Sequence, residues 1–100
     1  MPDDPEFLRE LEELREAFRA GLPGQLDAIR TALRKSDWAA LQSLIHVLKG
    51  TAGSYGYPRL TEMAGNVEAE LAARRFARAA VLCEGLILEA LNALNAWVPA

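Results

Sequence analysis

The sequence predicts an all-α protein, an antiparallel up-down four-helix bundle with an N-terminal helical extension. Three observations support this class. Apolar residues recur at spacings of three and four along almost the whole chain, as in amphipathic helices, and no segment alternates as a strand does. Leu, Ala, Glu and Arg, which favour helix, are abundant. The connections between the periodic segments are short, and short connections join antiparallel neighbours.

The first helix is predicted from about residue 5 to residue 20. Asp3 or Asp4 can cap its N-terminus, and Pro5 suits its first turn. Pro23 lacks a backbone N–H and clashes with the preceding turn, so we expect a break or kink here and a second segment over residues 23–35. One long kinked helix is the alternative, because the apolar stripe keeps its phase. The stripe, expected to be buried, comprises Phe7, Leu8, Leu11, Leu14, Phe18, Leu22, Leu26, Ile29 and Leu33.

Three more helices complete the predicted bundle. Ser36 is a good N-cap for the second of the four, and Gly56 can take the left-handed conformation that ends it. Pro58 both stops that helix and begins the next one. The start of the last helix is not marked by glycine or proline. The predicted bounds are residues 37–55, 58–73 and 76–97.

Size, charge and cysteine content narrow the class of protein. The 100 residues suffice for one domain with a single core, and we treat residues 1–100 as that domain. A net charge of −3 argues against binding to duplex nucleic acid. Cys83 is the only cysteine and His46 the only histidine, so we expect no internal disulfide and no metal or haem site.

The sequence also indicates whether the chain contains a membrane-spanning segment or a signal peptide. No run of apolar residues reaches the length of a membrane span, and the acidic N-terminus lacks the apolar core of a signal peptide. We therefore expect a cytoplasmic protein without membrane contact. Half of the acidic residues, 7 of 14, lie in the first sixteen positions, where they suit a solvated face at a helix N-terminus.

The most informative stretch surrounds His46. With Leu41 at the centre of the apolar stripe, His46 lies about 140° around the helix and faces solvent. Gly50 and Gly53 follow one and two turns later on the same face. Each glycine costs a helix about 0.5–1 kcal/mol relative to alanine. A helix that lets another surface approach its histidine has a reason to carry them.

This stretch resembles the phosphorylated helix of the histidine-phosphotransfer (HPt) domains of bacterial phosphorelays, in particular those of hybrid sensor kinases. The motif is His46, any residue, Leu48, Lys49 and Gly50, with Gly56 ten residues after the histidine. The motif covers about residues 42–68, and the helical pattern extends the resemblance to nearly the whole chain. Further matching residues are Ala52, Gly53, Leu60, Met63, Val67 and Glu68.

The resemblance implies a phosphorelay intermediate. His46 would accept a phosphoryl group from the phospho-aspartate of a response-regulator receiver domain and pass it to the aspartate of a second receiver. Mg²⁺ would come from the receiver, so no cofactor of the chain's own is expected. A hybrid sensor kinase is a second candidate partner. The sequence has no Gly-rich nucleotide loop, so we expect no autonomous kinase activity.

Antiparallel pairing predicts the neighbours of His46. If the turn centres near Tyr57, Glu68 lies level with His46 and can accept a hydrogen bond from Nδ1, leaving Nε2 free to attack. The resemblance assigns Glu68 the same part. Lys49, one turn later, can hold phosphoryl oxygens, and Gln42, one turn earlier, can donate a hydrogen bond. The predicted partner-binding residues are Leu22, Gln25, Gln42, Gly50, Gly53 and Tyr57.

Two other functions compete with this interpretation. Dimerising histidine kinase domains usually carry an acidic residue right after the histidine and a Thr-Pro pair soon after it, whereas Val47 follows His46 and the next proline is Pro58. A non-catalytic helical adaptor with an incidental surface histidine is the alternative, and a phosphotransfer assay distinguishes the two. A bundle of this kind buries its core without a partner subunit, so we expect a monomer.

Overall fold

The structure, a computed structural model, describes residues 4–96. Connections of three residues each join four helices that run up and down, and residues 4–96 contain no strand, so the predicted fold class is confirmed. The predicted end of the last helix at residue 97 and the candidate cap Asp3 lie outside the described residues. The helices are α1 (Pro5–Arg34), α2 (Trp38–Ser54), α3 (Pro58–Ala72) and α4 (Phe76–Ala96).

α1 is one helix of 30 residues that continues through Pro23, so the expected separate second segment is wrong and the alternative of one long helix is confirmed. Pro23 removes the N–H that would bond the carbonyl oxygen of Arg19. Packing on both sides of the proline offsets this loss, because Leu22, Leu26 and Ile29 have exposed fractions of 1% or less. The helix therefore continues, because burial of the apolar stripe on both sides of Pro23 outweighs the helix-breaking tendency of the proline.

The first half of α1 extends beyond the bundle. Phe7, Leu8 and Leu14 are 46%, 48% and 50% exposed, and burial on this stripe begins at Phe18, which is 6% exposed. The expectation that the early part of the stripe is buried is therefore wrong. The cause is length: a helix of 30 residues spans about 45 Å, whereas α2 has 17 residues and α3 has 15.

Single residues with positive φ shape the turns. Ser36 does not cap α2 as predicted; it takes φ 53°, and Asp37 caps the helix by accepting a hydrogen bond of 3.2 Å from the Ala40 N–H. The turn after α1 needs one left-handed residue, which moves the N-cap one position along. Gly56 has φ 91°, the left-handed conformation predicted for it, and Arg74 takes φ 58° in the last turn.

The core lies between the four helices and is almost wholly aliphatic. Aromatic groups close both ends. At one end Trp38 stacks on Phe76 with ring centroids 4.8 Å apart. At the other end Phe18 lies 5.7 Å from Tyr55 and 5.4 Å from Tyr57. The largest fully buried side chains are Leu22, Leu26, Ile29, Leu41, Ile45, Leu48, Leu60, Val67, Cys83 and Leu86.

α4 is apolar on more than its core face. By length and a hydropathy of 1.4 over 18 residues it could cross a membrane, so the expectation that no segment reaches this limit is wrong. A core helix of a soluble bundle passes the same test, and one such helix is weak support for a span. Its buried side includes Cys83, whose thiol pKa is raised to about 11 by burial and, less, by Glu84. Its outer side exposes Val81 and Leu88.

Candidate functional site

His46 lies on the outer face of α2. Its side chain is 75% exposed. The core fixes this orientation, because Leu41, Ile45 and Leu48 on the opposite face of α2 are fully buried. The ring is therefore held at a set place on the surface by a helix that cannot rotate without exposing its leucines and isoleucine.

Glu68 on α3 joins His46 and Lys49. Its Oε1 lies 2.8 Å from His46 Nδ1, and Lys49 Nζ donates a hydrogen bond of 3.2 Å to its Oε2. The Glu68 side chain is 21% exposed. Burial raises its pKa, but the hydrogen bonds and charges of His46 and Lys49 together outweigh burial, so the net pKa lies below the ordinary value. The carboxylate is thus ionised at neutral pH and accepts from both neighbours.

The ionised carboxylate determines the tautomer of His46. An ionised carboxylate has no proton to donate, so Nδ1 must carry the hydrogen of the contact with Glu68. In the neutral ring Nε2 then has the free lone pair. The surroundings of His46 therefore leave one nitrogen engaged with the protein and the other available as a nucleophile.

The sequence analysis predicts that Lys49 holds phosphoryl oxygens. In the structure its ammonium group instead forms an ion pair with Glu68. The Lys49 side chain is 40% exposed, so its ammonium group is in contact with both solvent and the carboxylate. A flexible stem of four carbons allows the ammonium to change partners. Lys49 lies one turn from His46, on the edge of α2 that faces α3.

His46 and Glu68 line a shallow surface groove between α2 and α3 with a cavity volume of about 440 Å³. The predicted residue Gln42 lines it too, together with Ser43 and Ala39, which the sequence analysis did not select. Helical spacing could have found them, since they precede His46 by three and seven residues and so share its face. Ala39, Gln42 and Ser43 carry small or uncharged side chains, which leave the groove open.

The two glycines after His46 have different surroundings. A side-chain carbon at Gly50 would have nothing within 4 Å. A Cβ at Gly53 would lie 2.8 Å from Oγ1 of Thr61, which donates a hydrogen bond of 3.0 Å to the backbone oxygen of Lys49. Thr61 is a further residue that the sequence analysis missed. Gly53 lies four positions before Tyr57 and Thr61 four positions after it, so antiparallel pairing of α2 and α3 could have predicted that they lie side by side.

The remaining predicted partner-binding residues lie elsewhere. The prediction that Leu22 forms part of an exposed rim is wrong, because its side chain is 1% exposed and packs in the core. Gln25 on α1 is half-buried, and its Oε1 atom has no hydrogen-bond partner in the described part of the chain. Tyr57 lies in the α2–α3 turn and accepts a hydrogen bond of 3.3 Å from Arg19. None of the three lines the groove around His46.

Comparison with known protein families identifies a family that matches the chain. The family model described as Hpt domain matches residues 6–97, which is most of the chain. No individual curated protein and no solved structure matches the chain. The matched range covers all of α2 and α3 and with them His46, Lys49 and Glu68. The chain therefore belongs to the Hpt domain family, whose members carry out histidine phosphotransfer in two-component phosphorelays.

Proposed function

We propose that His46 accepts a phosphoryl group from the phospho-aspartate of one receiver domain and passes it to the aspartate of another. The observation that supports this most strongly is the state of the imidazole: the ring is 75% exposed, and Glu68 holds its Nδ1 at 2.8 Å. Nε2 is left with its lone pair, and the ring lines the groove. An exposed nucleophile with a fixed tautomer suits in-line attack by a group that enters from solvent.

The proposed step balances in atoms and charge. The Nε2 lone pair forms the N–P bond as the P–O bond to the aspartyl carboxylate breaks, and the carboxylate leaves with that electron pair. No proton has to move, because Nε2 carries none. The ring gains positive charge, which the ionised Glu68 stabilises across the Nδ1–H hydrogen bond. The reverse step delivers the phosphoryl group to the second receiver, and Mg²⁺ belongs to the receiver in both steps.

Lys49 is proposed to serve the phosphorylated state. A phosphoryl group on Nε2 brings negative oxygens to the groove, and the ammonium of Lys49, one turn away, exchanges its contact with Glu68 for one with these oxygens. Gln42, which lines the same groove, is proposed to donate a hydrogen bond to them. Glu68 then keeps its hydrogen bond to the phosphorylated ring.

The proposed partner surface is the face of α2 and α3 around the groove. Gly50 has open space where a side chain would project, so the rim of a receiver can come close to His46. We propose that residues 1–100 act as one domain, in the cytoplasm, between receivers of a response regulator or a hybrid sensor kinase. The order of the two receivers, and hence the direction of phosphoryl flow, is decided by the partners.

The test is transfer from a purified receiver that has been phosphorylated with a small-molecule phosphodonor. The chain should acquire an acid-labile phosphate, and His46→Gln should acquire none while keeping its helical circular dichroism. Labelling that survives His46→Gln would place the chemistry on another residue. Absence of labelling with every receiver of the source genome would favour a non-catalytic adaptor.

A further inference from the structure

A second cavity continues the groove around His46 along α2 and α3. Its volume is about 580 Å³, and it lies between the turn that precedes α2 and the turn that precedes α4. Ala39 and Gln42 line both cavities, so the two form one continuous depression on the face that carries His46. We call the second cavity the turn hollow, and its lining includes Trp38, Ala72, Arg74 and Phe76.

The turn hollow is close enough to His46 for one partner to cover both. Ala39 precedes His46 by seven residues and Ala72 follows Glu68 by four, so the hollow lies about 6–10 Å from the imidazole along the helices. A standard interface covers about 800 Å² on each partner, which corresponds to a disc with a radius of about 16 Å. A receiver centred on His46 therefore covers the turn hollow as well.

Arg74 brings a positive charge to the turn hollow. Its exposed guanidinium lies 5.8 Å from the centroid of the Phe76 ring. In the part of the chain that the structure describes, it has no carboxylate partner, whereas Arg75 and Arg78 both contact Glu70. The charge of Arg74 is therefore available to a molecule that covers the hollow.

The backbone at Arg74 points to a role for its side chain. This residue has φ 58°, a left-handed conformation that costs an L-residue more than it costs glycine. A glycine would make the same turn at lower conformational cost, so the turn itself gives no reason for an arginine here. A residue kept in such a conformation is a reason to look for a function.

The face of a receiver that carries the phospho-aspartate is acidic. Mg²⁺ in phosphoryl-transfer sites is held by carboxylates and phosphate oxygens, and the phosphoryl group adds negative charge of its own. The carboxylates that line the two cavities do not complement such a face: Glu68 already forms an ion pair with Lys49, and Asp37 caps α2. Among the lining residues, Arg74 is the permanent cation.

We propose that the turn hollow belongs to the receiver-binding surface and that Arg74 attracts and orients the acidic face of the receiver. The inference rests on the proposed phosphotransfer at His46. Arg74 comes six residues after Glu68, the partner of the imidazole, so we assign it to docking and not to the chemical step. A charge in this position acts mainly on the rate of association and on its dependence on salt.

Single-turnover transfer over a series of receiver concentrations tests the role of Arg74. Arg74→Gly should raise the half-saturating receiver concentration about fivefold at low salt and leave the maximal rate unchanged. The difference should shrink in about 0.5 M salt, which screens exposed charges. The fold should persist, because φ at this position suits glycine. Arg74→Lys should retain most of the affinity. Arg9→Ala, which removes the same charge from the exposed first half of α1, should behave as the unchanged chain.

Filling the turn hollow gives a second test. Ala72→Trp should raise the half-saturating concentration, whereas Ala28→Trp, the same change at an exposed position of α1, should not. The proposal is overturned if Arg74→Gly or Ala72→Trp leaves this concentration unchanged while His46 is still labelled, or if Arg74→Gly lowers only the maximal rate. Those results leave the proposed function intact. An unchanged chain that no receiver labels would overturn the proposed function, and this inference with it.

Discussion

The chemistry of the site depends on where His46 holds its proton, and that is decided by Glu68 on the neighbouring helix. The sequence predicts this proximity, because the two residues are equally far from the α2–α3 turn. The contact between Lys49 and Glu68 at 3.2 Å could not be predicted in the same way. Lys49 has a long, flexible side chain on the edge of α2, and its choice between solvent, Glu68 and a phosphoryl group depends on local geometry that spacing does not contain.

Glu68→Gln should change how stability responds to acid. Because the pKa of Glu68 is lowered in the folded state, its ionised form stabilises the fold above the ordinary value of 4.5, and this contribution is lost as the pH falls through the folded pKa. The unchanged chain should therefore lose more unfolding free energy than Glu68→Gln between about pH 5 and pH 3. Urea unfolding at several pH values measures this. Glu62→Gln, at an exposed glutamate of the same helix, is the control and should follow the unchanged chain.

Lys49→Ala should slow phosphotransfer or shorten the lifetime of the phosphohistidine, because the phosphoryl oxygens lose the cation one turn away. The fold should persist, since the side chain is 40% exposed and its loss leaves Glu68 bound to His46. Single-turnover transfer and decay of the labelled chain are the measurements. Lys35→Ala is the matched control, as Lys35 is an exposed lysine in the turn after α1. Equal rates and lifetimes for both variants would remove Lys49 from the mechanism.

At the scale of the elements, the boundary between α2 and α3 is predictable because local residues mark it. Gly56 and Pro58 separate α2 from α3 as expected. α1 is not predictable in this way, because burial of Leu22, Leu26 and Ile29 around Pro23 outweighs the helix-breaking tendency of the proline. Local residues fix where a helix can end, and tertiary packing decides whether it does.

The two glycines of α2 give a prediction that belongs to this helix pair. Gly50→Ala should raise the unfolding free energy by about 0.5–1 kcal/mol, because the position is helical and open. Gly53→Ala gains the same propensity but pushes on Thr61 and loses its hydrogen bond to Lys49, worth about 0.5–1.5 kcal/mol. Urea unfolding should therefore rank Gly50→Ala above Gly53→Ala by about 1 kcal/mol. An equal gain in both variants would show that Thr61 does not restrain α2.

The same substitution carries a functional expectation. Gly50→Ala should reduce the rate of transfer from a receiver while raising stability, because a methyl group is added on the face where the receiver approaches. A faster or unchanged rate would show that the receiver does not contact α2 at this position. The contrast separates the docking role of Gly50 from the packing role of Gly53.

At the scale of the whole molecule, a four-helix bundle presents one exposed imidazole on its side and, at its end, an exposed apolar stripe on the first half of α1. The sequence predicts the bundle and the exposure of His46, because both follow from apolar periodicity. It does not predict that Phe7 and Leu14 lie in solvent, since that follows from the greater length of α1 relative to its neighbours. Relative helix lengths become known only once the continuity of α1 through Pro23 is known.

Nuclear magnetic resonance of the chain labelled with nitrogen-15, before and after transfer from a phosphorylated receiver, tests the central claim most directly. Before transfer, the imidazole of His46 should carry its proton on Nδ1, hydrogen-bonded to Glu68. After transfer, a phosphorus–nitrogen coupling should appear at Nε2 alone. Phosphorylation at Nδ1, or an imidazole spectrum that transfer leaves unchanged while phosphate appears on another residue, would contradict the account.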